Sequence, residues 1–163
     1  MKTLFILRHA KSSWSERDLA DFERPLNERG MKAASFMGEL MAQNEFQPSV
    51  ILSSPAVRAK QTALLVKEFG KLDAGIRFEH GIYEASPQSL LQVLSEIDDS
   101  YDSAMLVGHN PGIEGFIRYL TGNPEPMPTA ALAVIDLDID NWNAANDGCG
   151  ELTNVYRPKN EMA

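Results

Sequence analysis

The chain has 163 residues, 44% of them hydrophobic and 23% charged, with a formal net charge of −8 at pH 7. That length suits one domain over residues 1–163 with a sizeable core, and an acidic surplus spread along the chain speaks against nucleic acid as a partner, since its phosphate backbone needs a basic face. A single cysteine, Cys149, excludes an intrachain disulfide; no stretch approaches the roughly 18 apolar residues of a membrane span, and the apolar run at residues 4–7 is too short for the core of a secretory signal, so the expectation is a cytoplasmic protein that does not enter a membrane.

The first predicted element is a strand at residues 3–7, a continuous apolar run of the kind covered on both faces. It runs directly into Arg8 and His9. Asn27 reads as the N-cap of a helix reaching to about Asn44, with Met31, Ala34, Phe36, Met37, Leu40 and Met41 on its apolar face. Residues 50–52 form a second buried strand. Ser54 and Pro55 follow as cap and first turn of a helix to about Phe69. A short strand is expected at 76–79, and Pro87 opens a helix with Leu90, Leu91, Val93, Leu94 and Ile97 at helical spacing. Residues 104–107 make a third buried strand that ends in Gly108-His109-Asn110-Pro111, where Asn110 and Pro111 repeat the cap-then-proline pattern for a helix to about Leu120. Two last strands, at 131–137 and 151–156, flank a loop rich in Asn, Asp and Gly. Alternating strands and helices predict an α/β three-layer sandwich, with a mainly parallel central sheet, helices on both faces and an antiparallel edge.

Three buried strands therefore end in polar clusters: Arg8-His9, the Ser53 to Arg58 segment, and His109. In open α/β sheets ligands bind beyond the carboxyl ends of the strands, so a parallel sheet puts all three clusters on one rim. Two arginines, two histidines and a helix N-terminus converging there suit a phosphoryl group. The guanidinium fork holds two phosphate oxygens at once, and helix N-termini favour anions. Histidine among cations is pushed toward its neutral, nucleophilic form. The same arginines oppose a metal cation, and no His-x-x-x-His spacing occurs. His80 has no evident link to the other histidines and reads as structural or exposed.

The stretches LRHAKSSW, SSPAVRAKQTA and VGHNPGIEGF, spanning residues 7–116, resemble the histidine phosphatase superfamily, the phosphoglycerate mutase-like group. The short length, RHAKSSW, RPLNERG and GHNPG together are most similar to its compact SixA-type phosphohistidine phosphatases. The resemblance implies that His9 attacks phosphorus to form a phosphohistidine, that Arg8 and Arg58 clamp the phosphoryl oxygens, and that His109 completes the pocket. It implies hydrolysis by water with no metal or organic cofactor. The implied partner is a phosphorylated protein, with phosphohistidine as its modified residue, or a small phosphorylated metabolite.

Ala10 stands where the family motif usually has glycine, which matters only if that position needs positive φ. Mutase-like members carry Thr and Asn where this chain has Ser12 and Ser15, and losing the Asn weakens the case for a phosphoglycerate or sugar-phosphate substrate. Lys11 and Ser12 are candidate substrate contacts. Glu84, just past the short strand, is the candidate proton donor for an alkoxide leaving group; Asp18, Asp21 and Glu23 are more remote ones, and Asp21 and Glu23 can instead pair with Arg24 or close the pocket edge. A small-molecule phosphomonoesterase of the same fold and a non-catalytic phosphate-binding module are the alternatives.

Overall fold

The computed structural model describes residues 1–14 and 18–162. Its strands are β1 (Lys2–Arg8), β2 (Val50–Ser53), β3 (Ile76–Phe78), β4 (Ser103–Gly108), β5 (Leu132–Leu137) and β6 (Gly150–Tyr156). Its helices are α1 (Glu28–Gln43), α2 (Val57–Gly70), α3 (Pro87–Ser95), α4 (Gly112–Thr121) and α5 (Pro158–Glu161). The strands form one sheet in the order β3-β2-β4-β1-β5-β6. Neighbours from β3 to β1 run parallel, while β5 is antiparallel to both β1 and β6. This is the mainly parallel, three-layer arrangement expected, antiparallel edge included.

Each central strand is apolar on both faces because both are covered. Along β1, Leu4 and Ile6 enter one core with α3 and α4, including Phe116, Ile117 and the buried Trp142. Phe5 and Leu7 enter the opposite core with Met37 and Met41 of α1 and Ala59, Ala63 and Val66 of α2. Fully burying a Leu, Ile or Phe side chain stabilises the fold by about 1.5–3 kcal/mol, so the alternation along β1 ties both helical layers to one strand.

Two helix starts behave as the sequence predicts. The Asn27 side chain accepts from Gly30 N at 2.8 Å, and the Ser86 side chain accepts from Ser89 N at 3.1 Å ahead of Pro87. Two others do not. The second helix begins at Val57, not Pro55, and has no side-chain cap. α4 begins at Gly112 with Pro111 at the cap position, although the Asn110 side chain still accepts from Glu114 N at 3.2 Å. Met31, expected in the core, is 47% exposed, because α1 buries Gly30 and Gly38 on the face it turns inward. Among the described residues, no helix is long and apolar enough to cross a membrane.

Candidate active site

The carboxyl ends of β2, β4 and β1 lie side by side. Arg8 pairs in register with Gly108, and His9 N donates to Gly108 O at 3.1 Å. Ser54 N donates to Val107 O at 3.0 Å on the other side of β4. This ladder carries His9 and His109 to a ring separation of 5.1 Å, and both are buried. Arg58, one residue into α2, is buried at the same rim. Ala10 is fully buried and its φ is not positive, so the exchange from glycine meets no backbone penalty. Its N–H donates to Thr62 Oγ1 at 3.0 Å, and Thr62 Oγ1 donates in turn to Arg58 O at 2.7 Å, which locks the His9 loop to α2.

The hydrogen bonds define the His9 imidazole. Nδ1 lies 2.7 Å from Ala10 O. A carbonyl only accepts, so Nδ1 carries the proton and Nε2 keeps its lone pair. Burial lowers the His9 pKa to about 4; the bond to Ala10 pulls the other way, and Arg58, Arg8 and Arg24 add to the lowering. The ring is therefore neutral at neutral pH. His109 is lowered further, to about 3, first by burial and then by His9 and Arg58. Its Nε2 is 2.7 Å from Ser54 Oγ, which also accepts from Ala56 N at 3.2 Å. Ser54 thus orients the second histidine instead of capping a helix.

The arginines are held from the sides. Arg8 Nη1 donates to Met127 O at 3.0 Å. Arg58 Nη1 donates to Asp21 O at 2.7 Å and Nη2 to Asp21 Oδ2 at 3.1 Å. Asp21 also accepts from Tyr83 Oη at 2.7 Å and from Arg24 Nη2 at 3.0 Å. Partial burial works to raise the Asp21 pKa, but the bonds from Tyr83, Arg24 and Arg58 outweigh it and hold the carboxyl at about 2. Asp21 is thus an anion at neutral pH, which disqualifies it as a proton donor. Its pairing with Arg24 is the alternative the sequence left open. Three buried nitrogens, Arg8 Nε, Arg58 Nε and His109 Nδ1, find no hydrogen-bond partner among the described residues. A buried guanidinium N–H without an acceptor costs about 1–3 kcal/mol, and the two guanidinium groups give this rim a positive character suited to an anion.

A cavity of about 490 Å³ opens beside Arg58, Tyr83, His109 and Gly112. Glu84 lines it, exposed, and makes no hydrogen bond or ion pair among the described residues. Its φ of 52° lies in the left-handed region, a conformation that costs a non-glycine residue and recurs at functional sites. The adjoining Ala85 rests on the start of α4, where a Cβ on Gly112 would sit 2.4 Å from Ala85 O. The remaining predicted residues are placed differently. Ser12 Oγ accepts from Arg24 Nη1 at 2.6 Å, so its hydroxyl is already engaged. Lys11 is exposed and lines a second groove. Ser15 lies outside the described residues. Asp18 and Glu23 do not line the cavity, and His80 is exposed and stacked against Phe22. Among the described residues, no group of three or more His, Cys, Asp or Glu side chains is placed to hold a metal ion.

Sequence reasoning passed over Arg24 and Tyr83 as members of the site. In sequence Arg24, at the start of RPLNERG, stands out only as an ion-pair partner for nearby acids; in the fold it is buried, lowers the His9 pKa and stacks over Trp14 with its guanidinium carbon 3.7 Å from the ring centroid. Tyr83 packs edge-on against His109 at 5.6 Å. Nothing local in GIYEAS marks it, because its partner Asp21 is 62 residues away.

Comparison with known proteins identifies the family and the fold. The model of the histidine phosphatase superfamily, branch 1, matches residues 4–88. A structure assigned as the phosphohistidine phosphatase SixA of Agrobacterium tumefaciens superposes with a TM-score of 0.83 at 29% identity, covering 96% of this chain and 98% of that one. The structure of the protein histidine phosphatase SixA complexed with tungstate has the same fold, with a TM-score of 0.81 at 22% identity over 98% of this chain and 99% of that one. An uncharacterised protein of Mycobacterium tuberculosis is 27% identical over 164 residues, spanning 94% of this chain and all of its own length. Matched by the family model over more than half of its length, and by the fold over nearly all of it, the chain belongs to the histidine phosphatase superfamily and is a phosphatase.

Proposed function

We propose that the enzyme works through a phosphohistidine on His9 and that its substrate is phosphohistidine in a protein. The observation that carries this reading is the His9 imidazole: buried, neutral, with Nδ1–H fixed on Ala10 O and a free lone pair on Nε2 beside His109 and the arginines. Nε2 attacks phosphorus, an Nε2–P bond forms and the bond to the leaving group breaks. Arg8 and Arg58 clamp the equatorial oxygens, where charge accumulates during phosphoryl transfer, and His109 supplies a further donor. Water then cleaves the Nε2–P bond of phospho-His9, giving inorganic phosphate and the free imidazole.

The leaving group decides how much acid the site must provide. A departing imidazole takes a proton on its other ring nitrogen, whose ordinary pKa near 6.5 keeps that proton available at neutral pH. A departing alkoxide needs a positioned acid. Asp21 is too acidic for that role, and in this proposal Glu84 at the cavity rim fills it for phosphomonoesters. Dependence on a rim carboxylate with no hydrogen-bond partner among the described residues favours phosphohistidine over monoesters. No metal or organic cofactor enters the scheme. SixA proteins carry the same fold on chains of the same length, which supports the substrate class.

Rapid quench with 32P-labelled phosphohistidine peptide and mapping of the label tests the intermediate. The expected result is label on His9, with turnover reduced at least about 10³-fold in His9→Ala. Full turnover with no labelled residue overturns the mechanism. A panel of sugar and nucleotide phosphates tests the substrate class: higher kcat/KM on the panel than on the phosphohistidine peptide overturns the protein assignment and leaves the mechanism standing.

A further inference from the structure

A groove of about 580 Å³ lies on the α1 side of the His9 loop, apart from the cavity at Tyr83 and Glu84. Lys11, Arg29, Lys32 and Lys159 line it, and no side-chain carboxylate among the described residues does. All four are exposed, and none makes an ion pair or side-chain hydrogen bond among the described residues. The chain has only 15 Lys and Arg against 23 Asp and Glu. Four cations gathered with no ion-pair partner among the described residues, on so acidic a protein, are not explained by solubility, since interspersing the signs would serve that purpose better.

The groove is joined to the catalytic strand through the backbone. Lys11 follows His9 by two residues, and its carbonyl accepts from Asn27 N at 3.0 Å at the start of α1. A Cβ on Gly30 would fall 2.1 Å from Lys11 O, so the missing side chain is what lets the loop lie on the helix. Pro128 and Thr129 form part of the wall, and Ala130 N bonds to both Arg8 O and His9 O at 3.1 and 3.0 Å. Pro158 and Met162 add apolar surface beside Lys159.

We infer that this groove docks an acidic polypeptide segment of the phosphoprotein substrate, next to the phosphorylated residue presented to His9. The inference rests on the reading of the substrate as a protein. The occupant follows from charge complementarity and shape: a cationic rim over apolar walls fits a chain with both acidic and apolar side chains, and the volume exceeds what a single phosphate fills. Complementary charge acts mainly on encounter and is screened by salt.

The test compares two phosphohistidine peptides, one flanked by glutamates and one by alanines, in the parent enzyme and in Arg29→Glu/Lys32→Glu. At low ionic strength the acidic peptide should show about a tenfold higher kcat/KM, collapsing toward unity in 0.5 M NaCl or in the double variant. Because the readout is a ratio within one enzyme, a general loss of activity cancels. Binding of a fluorescein-labelled, unphosphorylated Glu-rich peptide, followed by anisotropy, keeps the groove testable if neither peptide is turned over. In that case the substrate reading fails, while glutamate-dependent binding lost in the variant still supports docking. Equal kcat/KM for both peptides, anisotropy unaffected by the double variant, or variant-sensitive binding of tripolyphosphate with no preference between peptides would each overturn the proposal.

Discussion

Two cationic clusters flank the His9 loop, and they are built on opposite principles. At the catalytic rim, Arg8, Arg24 and Arg58 are held by fixed bonds to Met127 O, Asp21 and Ser12, and the buried Arg8 and Arg58 Nε atoms have no partner among the described residues. In the α1 groove, Lys11, Arg29, Lys32 and Lys159 are exposed and make no ion pair or side-chain hydrogen bond among the described residues. Preorganised charge in a dry site stabilises a transition state at little cost in reorganisation. Exposed charge is screened and loosely defined in geometry, which suits recruitment. On the proposed reading, the contrast separates chemistry from capture within one small enzyme.

The contrast breaks most sharply at Arg58. Arg58→Ala should lower kcat for p-nitrophenyl phosphate about 10²–10³-fold with folding retained; a change below tenfold would place the catalytic charge elsewhere. Gly30→Ala acts on the seam between the clusters. Its methyl group has no room against Lys11 O, and thermal unfolding should report a loss of about 2 kcal/mol or more. An unchanged Tm would mean that the loop does not rest on α1.

Ser54→Ala removes the partner of His109 Nε2 and sharpens the account of the rim. We expect kcat to fall about tenfold with KM nearly constant, the size of one lost buried hydrogen bond. A pure KM effect would assign His109 to ground-state binding. The smallest effect is a titration. With folded pKa values near 4 and 3, the ring NMR signals of His9 and His109 should stay unshifted from pH 8 to pH 5. The unfolded chain takes up protons at these histidines near 6.5 while the folded protein does not. Stability therefore falls as pH drops from about 6.5 toward 4, on the order of 1 kcal/mol per pH unit for each histidine. A midpoint near 6.5 for either ring would contradict its burial among cations.

Much of the rim was legible because its signals are local. An apolar run ending abruptly in Arg8-His9 marks a buried strand with a functional end, and Asn27 marks a helix start by its own short side chain. The failures have one cause. Ser54 followed by Pro55 satisfies every local rule for a cap, yet its hydroxyl bonds His109, 55 residues away. Asp21 looks like a spare acid until Tyr83, Arg24 and Arg58 converge on it. Met31 fits the helical period, but α1 turns its glycine-bearing face inward.

Read alone, the chain's residues determined the strand and helix alternation, the apolar character of the central strands and the chemical type at each strand end. These follow from side-chain burial and capping within a few residues. Only the tertiary structure decided that β2, β4 and β1 are neighbours, that His9 and His109 come within 5.1 Å across 100 positions of chain, and that a second set of cations gathers on α1 and α5. Those outcomes depend on long-range strand pairing and packing, and the free energy of such contacts is not encoded in any one segment.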